Sequence, residues 1–350
     1  MKVTLLEFML LGVFAFVVTS LLTPVMGRFA LKHGVVDIPN YAHKTHSKPV
    51  PYLGGISIAL GITIVILVSS LMSQSRGRVL ALALSMLIPA LILGAVGLWD
   101  DLKSLSPLPR FIVQSVFGLT ISLFLVRTET LGSPFGVYVI DVAVSVIWIV
   151  GITNAINFFD NIDGGASGSV AISSIFLFLL ASTSNQFFLA ALAIVVTGAT
   201  FGFLIWNRPP ARIYMGDAGS LFLGILISTL TLRLDPLPID RFASFSIPFF
   251  ILAVPILDTT TAVLSRIRRG ISPFQGGRDH LSHRLMRIGY TKRISLLILW
   301  FMSTAFCIFA LVISFAPNSV ERVLAFIFFM IWVVLLILFL RTADESRVKR

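Results

Sequence analysis

The stretch VLALALSMLIPALILGAVGLWDD, residues 79–101, is an apolar run that closes on two adjacent carboxylates, Asp100 and Asp101. No charge interrupts it before Asp100, and about 20 mostly apolar residues are enough for a helix to cross a membrane. Comparable runs recur from end to end, at 5–27, 53–72, 111–126, 139–157, 169–183, 187–206, 219–233, 243–264, 294–314 and 322–340. Of the 350 residues, 57% are hydrophobic and only 12% charged. Soluble domains carry about 25% charged residues. These runs predict an all-α integral membrane protein, a polytopic bundle of about 10–11 transmembrane helices in one domain over residues 1–350. Pro24, Pro89, Pro248 and Pro255 fall inside or near spans, where neighbouring helices can satisfy the freed carbonyls.

The formal charge of +11 would suggest nucleic acid in a water-soluble chain; here it reads as topology, and no nucleic-acid partner is expected. Lys and Arg collect in cytoplasmic loops. With the N-terminus outside, 20 of them fall in inside connections and the tail, and seven fall outside. The expected orientation is therefore N-terminus outside and C-terminus cytoplasmic. The single cysteine, Cys307, excludes a disulfide within the chain. The first span is too long for a signal-peptide core and is expected to remain as a helix.

Outside connections are short and plain under this topology, whereas inside connections repeatedly hold Asp with Gly, Asn or His. Asp100 and Asp101 repel each other and need a cation or proton. Neighbours on a helix do not share a face, so one can serve a metal or substrate while the other points elsewhere. The pair is also what a solvated helix end looks like. Asn154, Asn157 and Asp160 recur every three residues and form one polar stripe at the end of an apolar span, which Asp163-Gly164-Gly165 then breaks. Asp217, in Met215-Gly-Asp-Ala-Gly-Ser220, is either a helix N-cap or a ligand beside a helix N-terminus that favours anions. His280, His283 and Arg284 cluster after a glycine pair; beside Arg278 they suit phosphate better than zinc. Lys44, His46 and Lys48 make the first inside loop basic. Several carboxylates without a thiolate suggest Mg²⁺, with Mn²⁺ as the alternative, and Mg²⁺ uses one or two carboxylates plus substrate phosphates. These parts suit phosphoryl transfer, in which positioning and charge stabilisation dominate.

In order along the chain these loops are Asp37-Ile-Pro-Asn40, the run from His46 to Gly55, Asp100-Asp101, Asn154 to Gly165, Met215 to Ser220, and His280-Leu-Ser-His283-Arg284. That series resembles the polyprenyl-phosphate N-acetylhexosamine-1-phosphate transferases. The His280 to Arg284 loop is similar to the branch that uses UDP-N-acetylglucosamine, not the phospho-N-acetylmuramoyl-pentapeptide transferases. Asn161 and Ser282 depart from the residues usual in the family, which are Gly and His.

The resemblance implies a Mg²⁺-dependent, multi-pass enzyme of the cell (inner) membrane with its active site on the cytoplasmic face. Its expected partners are a UDP-N-acetylhexosamine, polyprenyl phosphate and the membrane itself, with a homodimer as an open alternative. The implied metal ligands are Asp217 and Asn157. Asp100 and Asp101 would orient or deprotonate the lipid phosphate or add a metal contact. Asn157, Asp160 and Asp163 would hold the nucleotide side, with Asn154 beside them. His280, His283 and Arg284 would hold the diphosphate or sugar, and Lys44, His46 and Lys48 would meet the lipid phosphate. The competing class is a secondary transporter with an acidic site on its cytoplasmic side. It fits less well, because the middles of the spans carry almost no charge and no repeat is visible.

Overall fold

The structure is a computed structural model that describes residues 4–37, 49–73, 75–103, 106–127, 135–237, 240–273 and 277–342. Among the described residues the chain is helical apart from one small antiparallel hairpin, in which β1 (Val36–Asp37) pairs with β2 (Val50–Pro51). The helices are α1 (Leu5–Lys32), α2 (Gly54–Met72), α3 (Arg76–Lys103), α4 (Pro107–Arg127), α5 (Tyr138–Phe159), α6 (Gly165–Thr183), α7 (Phe187–Asn207), α8 (Gly216–Arg233), α9 (Arg241–Ile251), α10 (Ala253–Arg268), α11 (Leu281–Arg287), α12 (Lys292–Ser314) and α13 (Glu321–Arg341).

Nine of these helices are long and apolar enough to cross a membrane, and the α9–α10 pair makes a tenth if it counts as one span. The segment expected at 219–233 is α8. It is helical but does not pass as a span by composition, since Asp217 and Arg233 lie at its two ends. Nearly every residue from Ala218 to Thr231 is buried, with α2, α3 and α5 packed along it. The helix is thus screened by protein along most of its length. By contrast α1 and α13 leave Leu5, Leu6, Leu10, Val334 and Leu338 exposed, as helices facing lipid do.

The expected single span at 243–264 is corrected by a 78° bend between α9 and α10. Pro248 and Pro255 flank the break and cannot donate backbone hydrogen bonds. Neighbouring helices satisfy the carbonyls at the bend. Ser173 Oγ donates to Ile251 O at 2.7 Å, and Trp332 Nε1 donates to Ala253 O at 3.0 Å.

The hairpin positions the entry to α8. Tyr214 N donates to Pro51 O at 2.8 Å, and Gly54 N and Gly55 N donate to Tyr214 O and Met215 O at 3.0 and 2.9 Å. On the other side α3 approaches so closely that a Cβ on Gly97 would lie 2.3 Å from Asp217 O. Glycine is what allows α3 to meet the first turn of α8 backbone to backbone.

Candidate active site

The first turn of α8 gathers the motif residues. Gly216 has φ +70°, a left-handed conformation that glycine adopts without strain. It turns the next two amides toward the end of α3. Asp101 accepts there from Asp217 N at 2.9 Å and from Ala218 N at 3.0 Å. A carboxylate on the first N–H groups of a helix satisfies donors that the helix itself cannot and sits at the positive end of its dipole. Asp101 was expected to orient or deprotonate the lipid phosphate. In the structure both its oxygens accept backbone N–H groups, which also makes it a positioning residue for α8.

Asp217 does not cap its own helix. The N-cap is Met215, without a side-chain cap bond, and the Asp217 carboxylate reaches outward. Its Oδ1 accepts from Asn157 Nδ2 at 2.7 Å, and Asn157 Nδ2 also donates to Ser220 Oγ at 2.9 Å. Its Oδ2 pairs with Arg110 Nη1, which pairs with Asp100 as well. Asp100 is thereby joined to the Asp217 side chain through one guanidinium, while Asp101 holds the Asp217 backbone. The two adjacent carboxylates diverge, as helix geometry requires. By sequence Arg110 is one more cation of an inside connection; its place at the start of α4, after Pro107-Leu-Pro, is the available signal.

Asp160 follows α5 directly. Burial pushes its carboxyl well above the usual carboxylate range, and the Asp217, Asp101 and Asp163 carboxylates add to the shift. Asp163 sits in the following turn, where it accepts from Ala211 N at 3.0 Å and pairs with Lys292 Nζ at 2.8 Å. Asn207 Oδ1 accepts from Gly164 N at 2.9 Å and fixes this turn to α7. Asn154, one turn earlier, donates to Gln114 Oε1 at 2.6 Å and braces α5 against α4. The polar stripe is real, but its two ends do different work.

The loop before α11 forms a second group. Asp258 on α10 accepts from Leu281 N and lies 2.7 Å from His280 Nδ1. Arg266 Nη2 lies 3.3 Å from His280 Nε2. Arginine can only donate, so Nε2 accepts and the ring proton sits on Nδ1, facing Asp258. The two residues that depart from the family pattern meet here, since Ser282 Oγ donates to Asn161 Oδ1. His283 lies beside His280, with ring centroids 6.3 Å apart. Burial lowers its pKa to about 4.

Arg284 requires a correction. Its side chain is fully buried and donates to Asp279 O at 2.8 Å and to Phe339 O and Thr342 O at 2.9 and 3.0 Å. It ties α11 to the end of α13 and does not offer its fork to a diphosphate. Lys44, His46 and Lys48 lie outside the described residues.

Among the described residues no three His, Cys, Asp or Glu side chains converge into a preassembled metal cage. Mg²⁺ would not need such a cage, because one or two protein oxygens hold it and phosphates complete its shell. The repulsion from Asp217, Asp101 and Asp163, which adds to burial in raising the Asp160 carboxyl, is what a divalent cation would relieve. Asn157 spends its amide nitrogen on Asp217 and Ser220, so its carbonyl oxygen is the atom that would face a cation.

Residues 83–235, from α3 through α8, match the profile of Glycosyl transferase family 4. The chain is 34% identical to a probable undecaprenyl-phosphate N-acetylglucosaminyl 1-phosphate transferase of Bacillus subtilis, over 92% of this chain and 90% of that one. It is 30% identical to a decaprenyl-phosphate N-acetylglucosaminephosphotransferase of Mycolicibacterium smegmatis, over 98% and 91% of the two chains. A phospho-N-acetylmuramoyl-pentapeptide-transferase of Streptococcus uberis, at 31% identity, matches only 53% of this chain and 59% of its own. With full-length similarity on one side and partial similarity on the other, the chain belongs to glycosyl transferase family 4, in its polyprenyl-phosphate N-acetylglucosamine-1-phosphate transferase branch.

Proposed function

We propose that this protein transfers N-acetylglucosamine 1-phosphate from UDP-N-acetylglucosamine to a membrane polyprenyl phosphate, in a Mg²⁺-dependent reaction at the cytoplasmic face. An oxygen of the lipid phosphate attacks the sugar-side phosphorus of the donor. The bond from that phosphorus to the bridging oxygen breaks, and UMP leaves with the bridging oxygen and its electron pair. The product, a polyprenyl-diphosphate-sugar, starts an envelope polysaccharide. The observation that carries this reading is the convergence of Arg110 and Asn157 on Asp217, in a chain similar over nearly its whole length to enzymes named for this transfer.

Two anionic reactants must meet, so neutralising charge is the main task of the site. Asp217 and the Asn157 carbonyl would hold the cation, with Mn²⁺ as the substitute, and it would supply Lewis-acid polarisation of the reacting phosphate. Arg110 balances Asp100 and Asp217 before substrate arrives and can turn its donors to phosphate oxygens afterwards. Asp101 keeps Asp217 aimed by holding its backbone. Asp160 and Asp163 line the nucleotide side, where Lys292 holds Asp163 in place. His280, held by Asp258, and its neighbour His283 face the sugar phosphate.

The transporter reading draws no support from the relatives named above. Chelation tests the metal requirement: turnover should vanish with a chelator and return with Mg²⁺ or Mn²⁺. Turnover that survives thorough chelation would remove the metal from the proposal. A panel of UDP-sugars assayed with the same protein identifies the donor.

A further inference from the structure

A cavity of about 550 Å³ lies between the end of α7 and the start of α12. Arg208, Arg212 and Arg293 line it, together with Trp206 and Trp300. No carboxylate lines it, and among the described residues none of the three guanidiniums forms an ion pair. The Arg212 guanidinium lies 5.7 Å from the centroid of the Trp206 ring. Both indole N–H groups are engaged inside the protein, Trp206 with Ser20 O at 3.1 Å and Trp300 with Gly164 O at 3.2 Å. The tryptophans therefore present their apolar faces to the cavity, not their donors. Ile205 and Leu297, which also line it, are 40% and 59% exposed on helices long enough to span the membrane. The cavity thus has a cationic mouth and an apolar wall open to lipid.

We propose that this cleft binds one anionic glycerophospholipid of the surrounding leaflet, with its phosphate among Arg208, Arg212 and Arg293 and an acyl chain along Ile205 and Leu297. Three unpaired guanidiniums complement one phosphate, and Arg favours phosphate oxygens. Tryptophans belong at the level of the headgroups. A basic loop that served topology alone would not need its cations grouped on one cavity with apolar walls. The cleft shares no lining residue with the cluster of Asp100, Asp101, Arg110, Asn157 and Asp217, and meets the site only at its edge, where Ala211 and Lys292 hold Asp163, so its occupant is taken as a lipid other than the reacting one. A soluble phosphate would have no use for the apolar wall.

The full chain, released from mixed phosphatidylcholine and phosphatidylglycerol membranes, can be weighed by native mass spectrometry. One phosphatidylglycerol should be retained in preference to phosphatidylcholine. A triple variant, Arg208→Gln with Arg212→Gln and Arg293→Gln, should bind it roughly a hundredfold more weakly, at about fivefold per charge. The triple Lys variant should keep most of the binding, which separates charge from folding. If the triple Gln variant does not fold, each single Gln variant should weaken binding by about fivefold. Equal retention of phosphatidylcholine, or unchanged binding in the Gln variants, overturns the proposal. Displacement by inorganic phosphate would mark a free-anion site, and displacement by polyprenyl phosphate a substrate site; either also overturns it.

Discussion

The Asp101 carboxylate accepts the backbone N–H of Asp217 at 2.9 Å, so one acidic residue fixes the helix start from which another projects. It also holds Ala218 N at 3.0 Å, which makes Asp101 the cap of α8 from another helix. The Asp217 side chain is thereby spared from capping and is left to Arg110 and Asn157.

This division of labour predicts opposite phenotypes for two carboxylates. Asp101→Ala removes a cap and should cost about 1 kcal/mol of stability, seen as a lower thermal midpoint in detergent. Asp217→Asn keeps size and most hydrogen bonding, and should unfold near the wild-type temperature. Its turnover should fall by roughly a thousandfold, since several kcal/mol of charge stabilisation are lost at about 1.4 kcal/mol per tenfold. Asp235→Asn, at an exposed position near the far end of α8, is the control and should change neither. A fully active Asp217→Asn protein would move the cation ligand to Asp160 or Asp100.

Arg284→Gln separates a pin from a ligand. The variant leaves the carbonyls of Phe339 and Thr342 without their charged donor. It should lose about 2–3 kcal/mol of stability, the worth of a hydrogen bond to a charged group. KM for the UDP-sugar, measured on the folded fraction, should change little. Unchanged stability with a large rise in KM would restore the substrate role expected from the sequence.

His283 gives the α11 region a pH dependence. Its folded pKa of about 4 lies below the ordinary 6.5, because burial disfavours the protonated ring. Between those two values the unfolded chain takes up a proton that the folded chain refuses. Stability therefore falls as the pH drops from about 6.5 toward 4 and is unaffected above that window. Thermal midpoints compared at neutral and mildly acidic pH should show a smaller acid loss for His283→Gln than for the parent. Equal losses would show that His283 is not desolvated.

Much of this site was legible because its chemistry is local in sequence. Asn157 and Asp217 stand out as polar groups at the ends of apolar runs, and each lies in a short motif. What was not legible depends on which helices are neighbours. Arg110 looks like any positive loop residue until α4 brings it between Asp100 and Asp217. Asp258 looks isolated until the bend after Ile251 aims α10 at His280. Arg284 has the residue type of a phosphate ligand, and only its burial against the end of α13 gives it another task. The spans were read from hydropathy with little error, because lipid demands apolar length. α8 carries the weakest composition signal, since protein screens it along most of its length.

The N-outside orientation expected from the charge asymmetry can be tested with single cysteines. Cys307 is buried and should not react, so a new cysteine is read cleanly. Ser272→Cys, exposed after α10, should label only from the cytoplasmic side. Leu237→Cys, 48% exposed in the connection between α8 and α9, should label from outside in intact cells. The reverse pattern would invert the topology.

The most direct measurement is the identity of the released nucleotide. Purified protein, Mg²⁺, polyprenyl phosphate and UDP-N-acetylglucosamine are incubated, and the nucleotide products are separated. Transfer of a sugar phosphate predicts UMP, formed one for one with a lipid that gains the sugar and one phosphate, and sharply reduced in Asp217→Asn. Release of UDP, with a lipid that gains the sugar alone, would mean that the glycosidic bond and not the diphosphate is broken, and would contradict the site described here.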